Sequence, residues 1–408
     1  MNPLVGNFDR TLRARASKVI PGGMWGHQNA ARLPTGYPQY FTRGQGCRAW
    51  DANGREYIDF MCGWGPIILG YGDPDVEAAA DAQRADGDCL NGPSERLVEL
   101  AELLVDTIPH ADWALFSKNG TDATTSCLTI ARAGTGRRKI LVARGAYHGA
   151  VPWCSPSLVG VTAEDRAHLI YFTYNDVESL ERAAEAARGD LAGILVSAIR
   201  HDVGQDHEFP TQEFAQRARS LADEADAALI VDDVRAGFRL DIGGSWELMR
   251  VRPDLSAWSK AIANGHALAA VTGSDRFREG ATNIFTTGSF WTSAVAMAAA
   301  IATVTKLKRI DAIAVMRTMG QRLRDGLDAQ SRKYGLPLRQ TGPAQMPVLL
   351  FDRDSDRRIG NAFCLEALAR GVYLHPTHTL FLSAAHTQAD IDAALSATDD
   401  AFAAVKAM

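Results

Sequence analysis

Three short apolar runs, residues 140–143, 193–197 and 227–231, punctuate the middle of the chain. The stretches between them, such as 177–187 and 212–225, carry helical periodicity instead. Strands buried on both faces read as continuous apolar runs, and parallel strands must be joined by crossovers, usually helices. The alternation therefore predicts an α/β fold around a mainly parallel sheet. At 408 residues the chain exceeds what one hydrophobic core usually holds, so a large domain with a smaller partner is expected. Up to about Gly54 the sequence is rich in Gly and Pro, with a strand-like piece at 48–51. Residues 296–334 read as one or two long helices. Beyond Gly335 come strand-like 347–351, a helix near 361–370, strand-like 381–383 and a final helix from Gln388, a smaller α+β domain. The expected boundaries are an N-terminal segment of the small domain at 1–54, a large domain at 55–305 and a C-terminal small domain at 306–408.

Composition excludes several functions. With a net charge of −5 and no basic block, nucleic acid is not an expected partner. Cys47, Cys62, Cys89, Cys127, Cys154 and Cys364 form no C-x-x-C pair or metal-finger spacing, so free thiols in a reducing compartment are expected and no metal site. Residues 1–15 carry four charged side chains and lack the apolar core of a signal peptide, and no apolar run is long enough to span a bilayer. A cytoplasmic protein is expected.

Four polar stretches interrupt the apolar pattern. The run 229–231 leads into Asp232 and Asp233, at the carboxyl end of a strand, where α/β sheets bind ligands. A carboxylate short of water needs a cationic partner; capping the next helix is the plainer alternative. Lys260, one of eight lysines, lies between Trp258 and Ile262. Desolvation there would favour the neutral, nucleophilic amine, although a lysine snorkelling to the surface satisfies the same sequence. Asn119-Gly120-Thr121-Asp122 opens a helical stretch, 124–133, whose free N–H groups and positive end suit a phosphate, or simply an ordinary cap. It is neither a P-loop nor a dinucleotide fingerprint. Gly145-Ala146-Tyr147-His148-Gly149 follows the strand 140–143 and offers an aromatic that could stack on a flat ring or pack in a loop. A cradle, an aromatic, a buried acid and a buried lysine, in that order, meet the needs of pyridoxal 5′-phosphate (PLP): the lysine forms a Schiff base and the acid keeps the pyridine nitrogen protonated.

These residues resemble class III aminotransferases of PLP fold type I over nearly the whole chain. The family's D-E-V-x-x-G-F-R stretch is matched by residues 232–239, with Asp233 in place of Glu, and its S/G-K by Ser259-Lys260. Its N-x-G-T-E-A and G-x-Y-H-G are matched loosely by 119–123 and 145–149. Pro21-Gly22-Gly23, Trp50-Asp51, Tyr57-Ile58-Asp59, Trp64-Gly65-Pro66 and 385–392 are similar to the glutamate-1-semialdehyde aminomutase branch. Stretches 113–121, 231–239, 288–291, 340–347 and 381–387 are similar to bacterial aminotransferases that deaminate hydrolysed fumonisin, an aliphatic amino-polyol.

The resemblance implies a large domain with a mainly parallel, seven-stranded-type sheet, a smaller α+β domain and PLP as cofactor. It implies that Gly120 and Thr121 bind phosphate, that Tyr147 stacks on the ring near His148, and that Asp232 meets the pyridine nitrogen. Val234 packs on the opposite face, and Lys260 is Schiff base and proton shuttle. Ser289 replaces a Thr that the family donates to the phosphate across a dimer interface, so a homodimer is implied. The aminomutase branch grips its substrate carboxylate with an Arg after the Pro-Gly-Gly turn; here Asn29 falls nearby, with Trp25 and His27 in the same loop. The gating loop is shortened at 150–164, Glu-Pro becomes Ser197-Ala198 followed by Arg200-His201-Asp202, and an acidic loop is missing around His378-Thr379. The implied activity is transfer of an amino group from an amine without an α-carboxylate, such as a long-chain amino-polyol, to a keto acid such as pyruvate. Trp25 and Trp64 would meet the amine, and Arg200 and Arg235 are candidates for the keto-acid carboxylate. The aromatic set Trp25, Trp64, Phe290 and Trp291 equally suits a dimer core. An aminomutase or racemase needing no second substrate is the competing activity. A nucleotide-dependent oxidoreductase would need the missing fingerprint, and a non-catalytic PLP binder would not need Lys260.

Overall fold

The computed structural model describes residues 5–408; residues 1–4, which open the stretch read as lacking a signal peptide and the expected N-terminal segment, lie outside the described residues. The chain divides into two compact units. The first comprises Met1–Asp73, Val203–Asp206 and Ala314–Met408, and the second Pro74–Asp202 and His207–Ile313.

The second unit is built on seven strands: β1 Trp113–Ser117, β2 Lys139–Ala143, β3 Leu169–Phe172, β4 Leu191–Ser197, β5 Ala228–Asp232, β6 Leu255–Trp258 and β7 Ala269–Gly273. They lie in the order β1-β7-β6-β5-β4-β2-β3. Only β7 runs against its neighbours; the pairs β6–β5, β5–β4, β4–β2 and β2–β3 are parallel. Every residue of β4, β5, β6 and β7 is buried, which is why these strands read as apolar runs without alternation. Helix α1, Gly120–Thr135, packs Cys127, Ile130 and Ala131 onto Ile140, Leu195, Ile230 and Val271. The helices Val177–Ala186 and Gln212–Glu224 follow β3 and β4, each capped by a side chain (Asp176, Thr211) that accepts the N–H three residues on.

The first unit holds a four-stranded sheet. Phe41–Gln45, Arg48–Asp51 and Glu56–Asp59 form an antiparallel meander, and Val372–Tyr373 adds to it in parallel. Leu338–Thr341 pairs with Val348–Phe351 as a separate hairpin. The helices Arg358–Ala369 and Gln388–Lys406 pack through Phe363 and Phe402, whose rings lie 4.6 Å apart. The segment expected as a strand at 381–383 is not one: Leu380 and Leu382 donate to the carbonyls of Pro347 and Gln345 in one neighbouring segment and Phe381 to that of Phe60 in another, and Pro347 has no N–H with which to return a ladder bond.

No helix among the described residues is long and apolar enough to cross a membrane, and no group of three or more His, Cys, Asp or Glu among them is arranged to hold a metal ion.

Candidate active site

Five strands deliver groups to one end of the sheet. β5 ends on Asp232, β6 leads to Ser259 and Lys260, β1 to Asn119, β2 to the loop with Tyr147 and His148, and β4 to residues 198–202. β1, β2, β4, β5 and β6 all run the same way, so their carboxyl ends meet there. They enclose a cavity of about 250 Å³ lined by Gly120, Thr121, Tyr147, His148, Asp232, Val234, Arg235 and Lys260, with Asn119, His201 and Ser259. A larger surface depression of about 710 Å³ at Arg137, Glu181 and Arg217 holds no comparable chemistry: Arg217 is paired with Glu181 at 2.6 Å and with Glu224 at 2.7 Å.

Helix α1 opens with a capping box. The Asn119 side chain accepts from Asp122 N at 3.1 Å, and the Asp122 carboxylate accepts from Asn119 N at 3.2 Å. The box satisfies the third helical N–H and leaves those of Gly120 and Thr121 at the positive helix end. Thr124 Oγ1 donates to the His148 carbonyl at 2.7 Å, joining this turn to the Tyr147 loop. Both glycines beside it are required by close approach: a Cβ on Gly120 would lie 2.6 Å from Val234 Cγ1, and one on Gly149, whose φ is +133°, 2.5 Å from Thr121 Oγ1.

The two carboxylates ending β5 part company. Asp232 is buried; its Oδ2 lies 2.7 Å from His148 Nδ1, and its Oδ1 accepts from Val234 N at 3.0 Å. Asp233 accepts from the Ser245 hydroxyl and, at 3.0 Å, from Ser245 N, and burial pushes its carboxyl up to about 7 against those bonds. Asp233 thus ties down the 244–245 turn and does not line the cavity.

Lys260 sits at φ +48°, a left-handed conformation costing an ordinary residue roughly 1–2 kcal/mol. Ser259 Oγ, bonded to the Leu268 carbonyl at 3.0 Å, and the buried Trp258, whose Nε1 donates to Thr272 Oγ1 at 2.8 Å, hold the turn. Burial first, and Arg235 second, push the Lys260 ammonium down to about 8, while Asp232 pulls the other way. Arg235 donates to the His201 carbonyl at 3.2 Å, and burial lowers it to about 10. His201, also buried, is held well below its usual range by desolvation and then by Arg235, so its ring is neutral.

Of the residues expected in the site, Gly120, Thr121, Tyr147, His148, Asp232, Val234, Arg235 and Lys260 converge. Arg200 does not line the cavity; it pairs with Glu208 at 2.9 Å across a backbone bridge. Ser289 is exposed in a segment with Phe285 and Phe290, 93% and 65% exposed. Trp25, exposed, and Trp64, half-buried, belong to the first unit. His201 was not singled out, although the replacement of Glu-Pro by Ser-Ala and the Arg200-His201-Asp202 that follows marked its neighbourhood.

The donor set fits PLP: N–H groups at a positive helix end for a phosphate dianion, a buried carboxylate for a protonated ring nitrogen, and an amine with a depressed pKa. His148 Nε2, buried and with no protein partner, is one more polar atom suited to such a ligand.

A model of the family described as aminotransferase class III matches residues 32–402. An aminopentol aminotransferase of Sphingopyxis macrogoltabida is 51% identical over 400 residues, covering 98% of this chain and 95% of its own length. A structure of the PLP internal aldimine form of the FumI protein from a Sphingopyxis species superposes with a TM-score of 0.97 at 51% identity, covering 98% of this chain and 97% of that one. An omega-transaminase from Sphaerobacter thermophilus superposes with a TM-score of 0.89 at 26% identity, covering 98% and 100%.

Proposed function

The chain belongs to the class III aminotransferases, and from that premise we propose that it moves an amino group from an amine without an α-carboxylate, of the long-chain aliphatic amino-polyol kind, to a keto acid such as pyruvate. It is a PLP-dependent aminotransferase. The observation that carries the proposal is Lys260, its amine depressed to about 8, in one cavity with the buried Asp232 and the open end of α1.

In this reading Gly120 and Thr121 hold the phosphate through their N–H groups, Tyr147 and Val234 flank the ring, and His148 orients Asp232 against the ring nitrogen. The bound cofactor supplies an aldehyde carbon and a conjugated ring that takes up the electron pair left when the substrate carbon loses its proton. Asp232 holds the ring nitrogen's proton. Lys260 Nζ would hold the cofactor covalently and, as a neutral amine, would carry the proton taken from the substrate carbon. Uptake of PLP by the apoprotein should follow the neutral fraction of Lys260. Below its pKa the ammonium predominates, so the rate is expected to rise with pH and level off above about 8. A stopped-flow absorbance series with a midpoint near that of a free lysine, about 10.4, would contradict the assigned environment.

The donor class is supported by the named activity of the 51%-identical relative and by Asn29. Where the aminomutase branch has its carboxylate-gripping Arg, the Asn29 amide donates to Gly22 O at 3.0 Å and to Met24 O, and its Oδ1 accepts from Ala31 N. It is committed to the loop. For the keto-acid carboxylate Arg235, in the cavity, is favoured over Arg200, paired with Glu208. Arg235→Ala is expected to raise the pyruvate KM about 10- to 100-fold, as for loss of a charged hydrogen bond. An unchanged KM would move the carboxylate elsewhere. The exposed Phe285 and Phe290 beside Ser289 support a homodimer in which Ser289 reaches the partner's phosphate. The cysteines, none of them in a disulfide, support a cytoplasmic setting.

The direct test is the visible spectrum of the purified protein with PLP. A yellow band that bleaches with a long-chain amine and returns with pyruvate is expected. A band restored without a keto acid would favour an aminomutase or racemase.

A further inference from the structure

Three polar groups of the cofactor find partners in the cavity: the phosphate at the start of α1, the ring nitrogen at Asp232 and the aldehyde carbon at Lys260. The fourth, the phenolic oxygen, has none in that assignment. On the pyridine ring the nitrogen lies opposite the carbon that bears the aldehyde, and the phenolic oxygen and the phosphate arm flank that carbon on opposite sides. The strand order carries a matching division. β5, which ends on Asp232, has β6, β7 and β1 on one side and β4 and β2 on the other. α1 follows β1, and His201 follows β4.

Most other donors of the cavity are engaged. The Asn119 amide donates to Asp122 Oδ2 at 2.9 Å, Ser259 Oγ to the Leu268 carbonyl at 3.0 Å and Thr124 Oγ1 to the His148 carbonyl at 2.7 Å. His148 meets the Asp232 carboxylate through Nδ1, which leaves Nε2 as the acceptor atom of the neutral ring. His201 differs. Its backbone carbonyl takes the Arg235 bond, and no hydrogen bond among the described residues reaches its ring nitrogens. Burial, then Arg235, His207, Lys260 and His148 around it, keep that ring neutral. A neutral imidazole carries one N–H to give, so it can stabilise a phenolate without handing it a proton. The residue stands just past the strand end at which Ser197-Ala198 replaces the family's Glu-Pro.

We propose that His201 donates its ring N–H to the phenolic oxygen of the bound cofactor and thereby sets the pH at which the cofactor's link to Lys260 loses its proton. The proposal rests on the placement of Asp232 and Lys260 described above. The yellow form shares a proton between the Lys260 nitrogen and the phenolic oxygen. A donor to that oxygen draws off its charge, so the shared proton leaves at lower pH. Arg235, Asp232 and Arg239 also face Lys260, and all three stay in place in the variants that test the idea.

The test uses the spectrum of the PLP-loaded protein. His201→Leu removes the donor, and His201→Phe does so with a planar ring should the leucine variant not fold; His201→Gln keeps an N–H. The pH at which the yellow band gives way to near-ultraviolet absorption is expected to rise by about one unit in the leucine or phenylalanine variant, and to stay within about half a unit of the parent in the glutamine variant. An unmoved titration in the variant without a donor overturns the proposal. Affinity then separates a hydrogen bond from packing. The apoproteins are titrated with PLP and with 3-deoxypyridoxal phosphate, which lacks the phenolic oxygen. The leucine or phenylalanine variant is expected to bind PLP about tenfold more weakly than the parent does, and the deoxy analogue equally well. An equal loss for both cofactors means a structural role and overturns the proposal. No yellow band in the parent itself removes Lys260 as the anchor, and the proposal falls with it.

Discussion

Lys260→Ala is expected to lower steady-state transamination by about 10⁴-fold or more, at least the upper end of what general acid–base catalysis contributes. The loss is this large because one amine both holds the cofactor and moves the proton, so no part of the cycle escapes it. Borohydride reduction of the unaltered holoenzyme should attach the cofactor to the peptide containing Lys260, and the variant should show no such adduct. Retained turnover, or an adduct on another lysine, would sink the assignment. The fold is not expected to suffer. The pKa of Lys260 is about 8 in the folded chain and about 10.4 when unfolded. Between those values the unfolded state binds more protons, so stability rises with pH across that window. The burden of the buried ammonium is complete below about pH 8. An apoprotein melting curve at neutral pH should therefore show the alanine variant at least as stable as the parent.

Asp232→Asn should keep the cofactor bound but reduce kcat by about 10²–10³-fold, the loss typical of removing one preorganised electrostatic partner from a buried site. Asparagine is nearly isosteric, and its Oδ1 can still accept from His148 Nδ1 or Val234 N, so the local geometry is expected to survive. What is lost is the negative charge that keeps the ring nitrogen protonated. Wild-type kcat in this variant would mean that another residue faces the nitrogen. Asp233→Asn makes the contrast. Asp233 serves the Ser245 turn, so its replacement should register in thermal stability well before it registers in kcat.

How far the site was legible depended on whether a residue acts through its place on a strand. Asp232 ends an apolar run that reads as a buried strand, so the strand-end rule locates it before any contact is known, whereas Lys260 stands out by its apolar flanks Trp258 and Ile262, and the strand before it emerges only in the structure. The same rule could not choose between Asp232 and Asp233 on the residues alone; adjacent side chains at a strand end point opposite ways, and Ser245 captures one of them. Arg200 and Arg235 were equivalent in the sequence, because a guanidinium reaches too far for position to fix its partner. The strand expected at 381–383 failed for a related reason: its apolar character is plain, but its backbone N–H groups are divided between two segments, residues 345–347 and Phe60, and Pro347 has no N–H to return a bond.

By itself the sequence determined the alternation of elements, the parallel sheet and the order of cradle, aromatic, acid and lysine, because each rests on local periodicity or on a residue type at an element's end. Only the tertiary structure decided what depends on atoms far apart in the chain. The His148–Asp232 bond spans 84 residues. The contact of Gly120 with Val234 and the depressed amine of Lys260 likewise join distant segments. Desolvation and hydrogen-bond polarity are set by whatever surrounds a group in space, and that comes into being only when the chain has closed on itself.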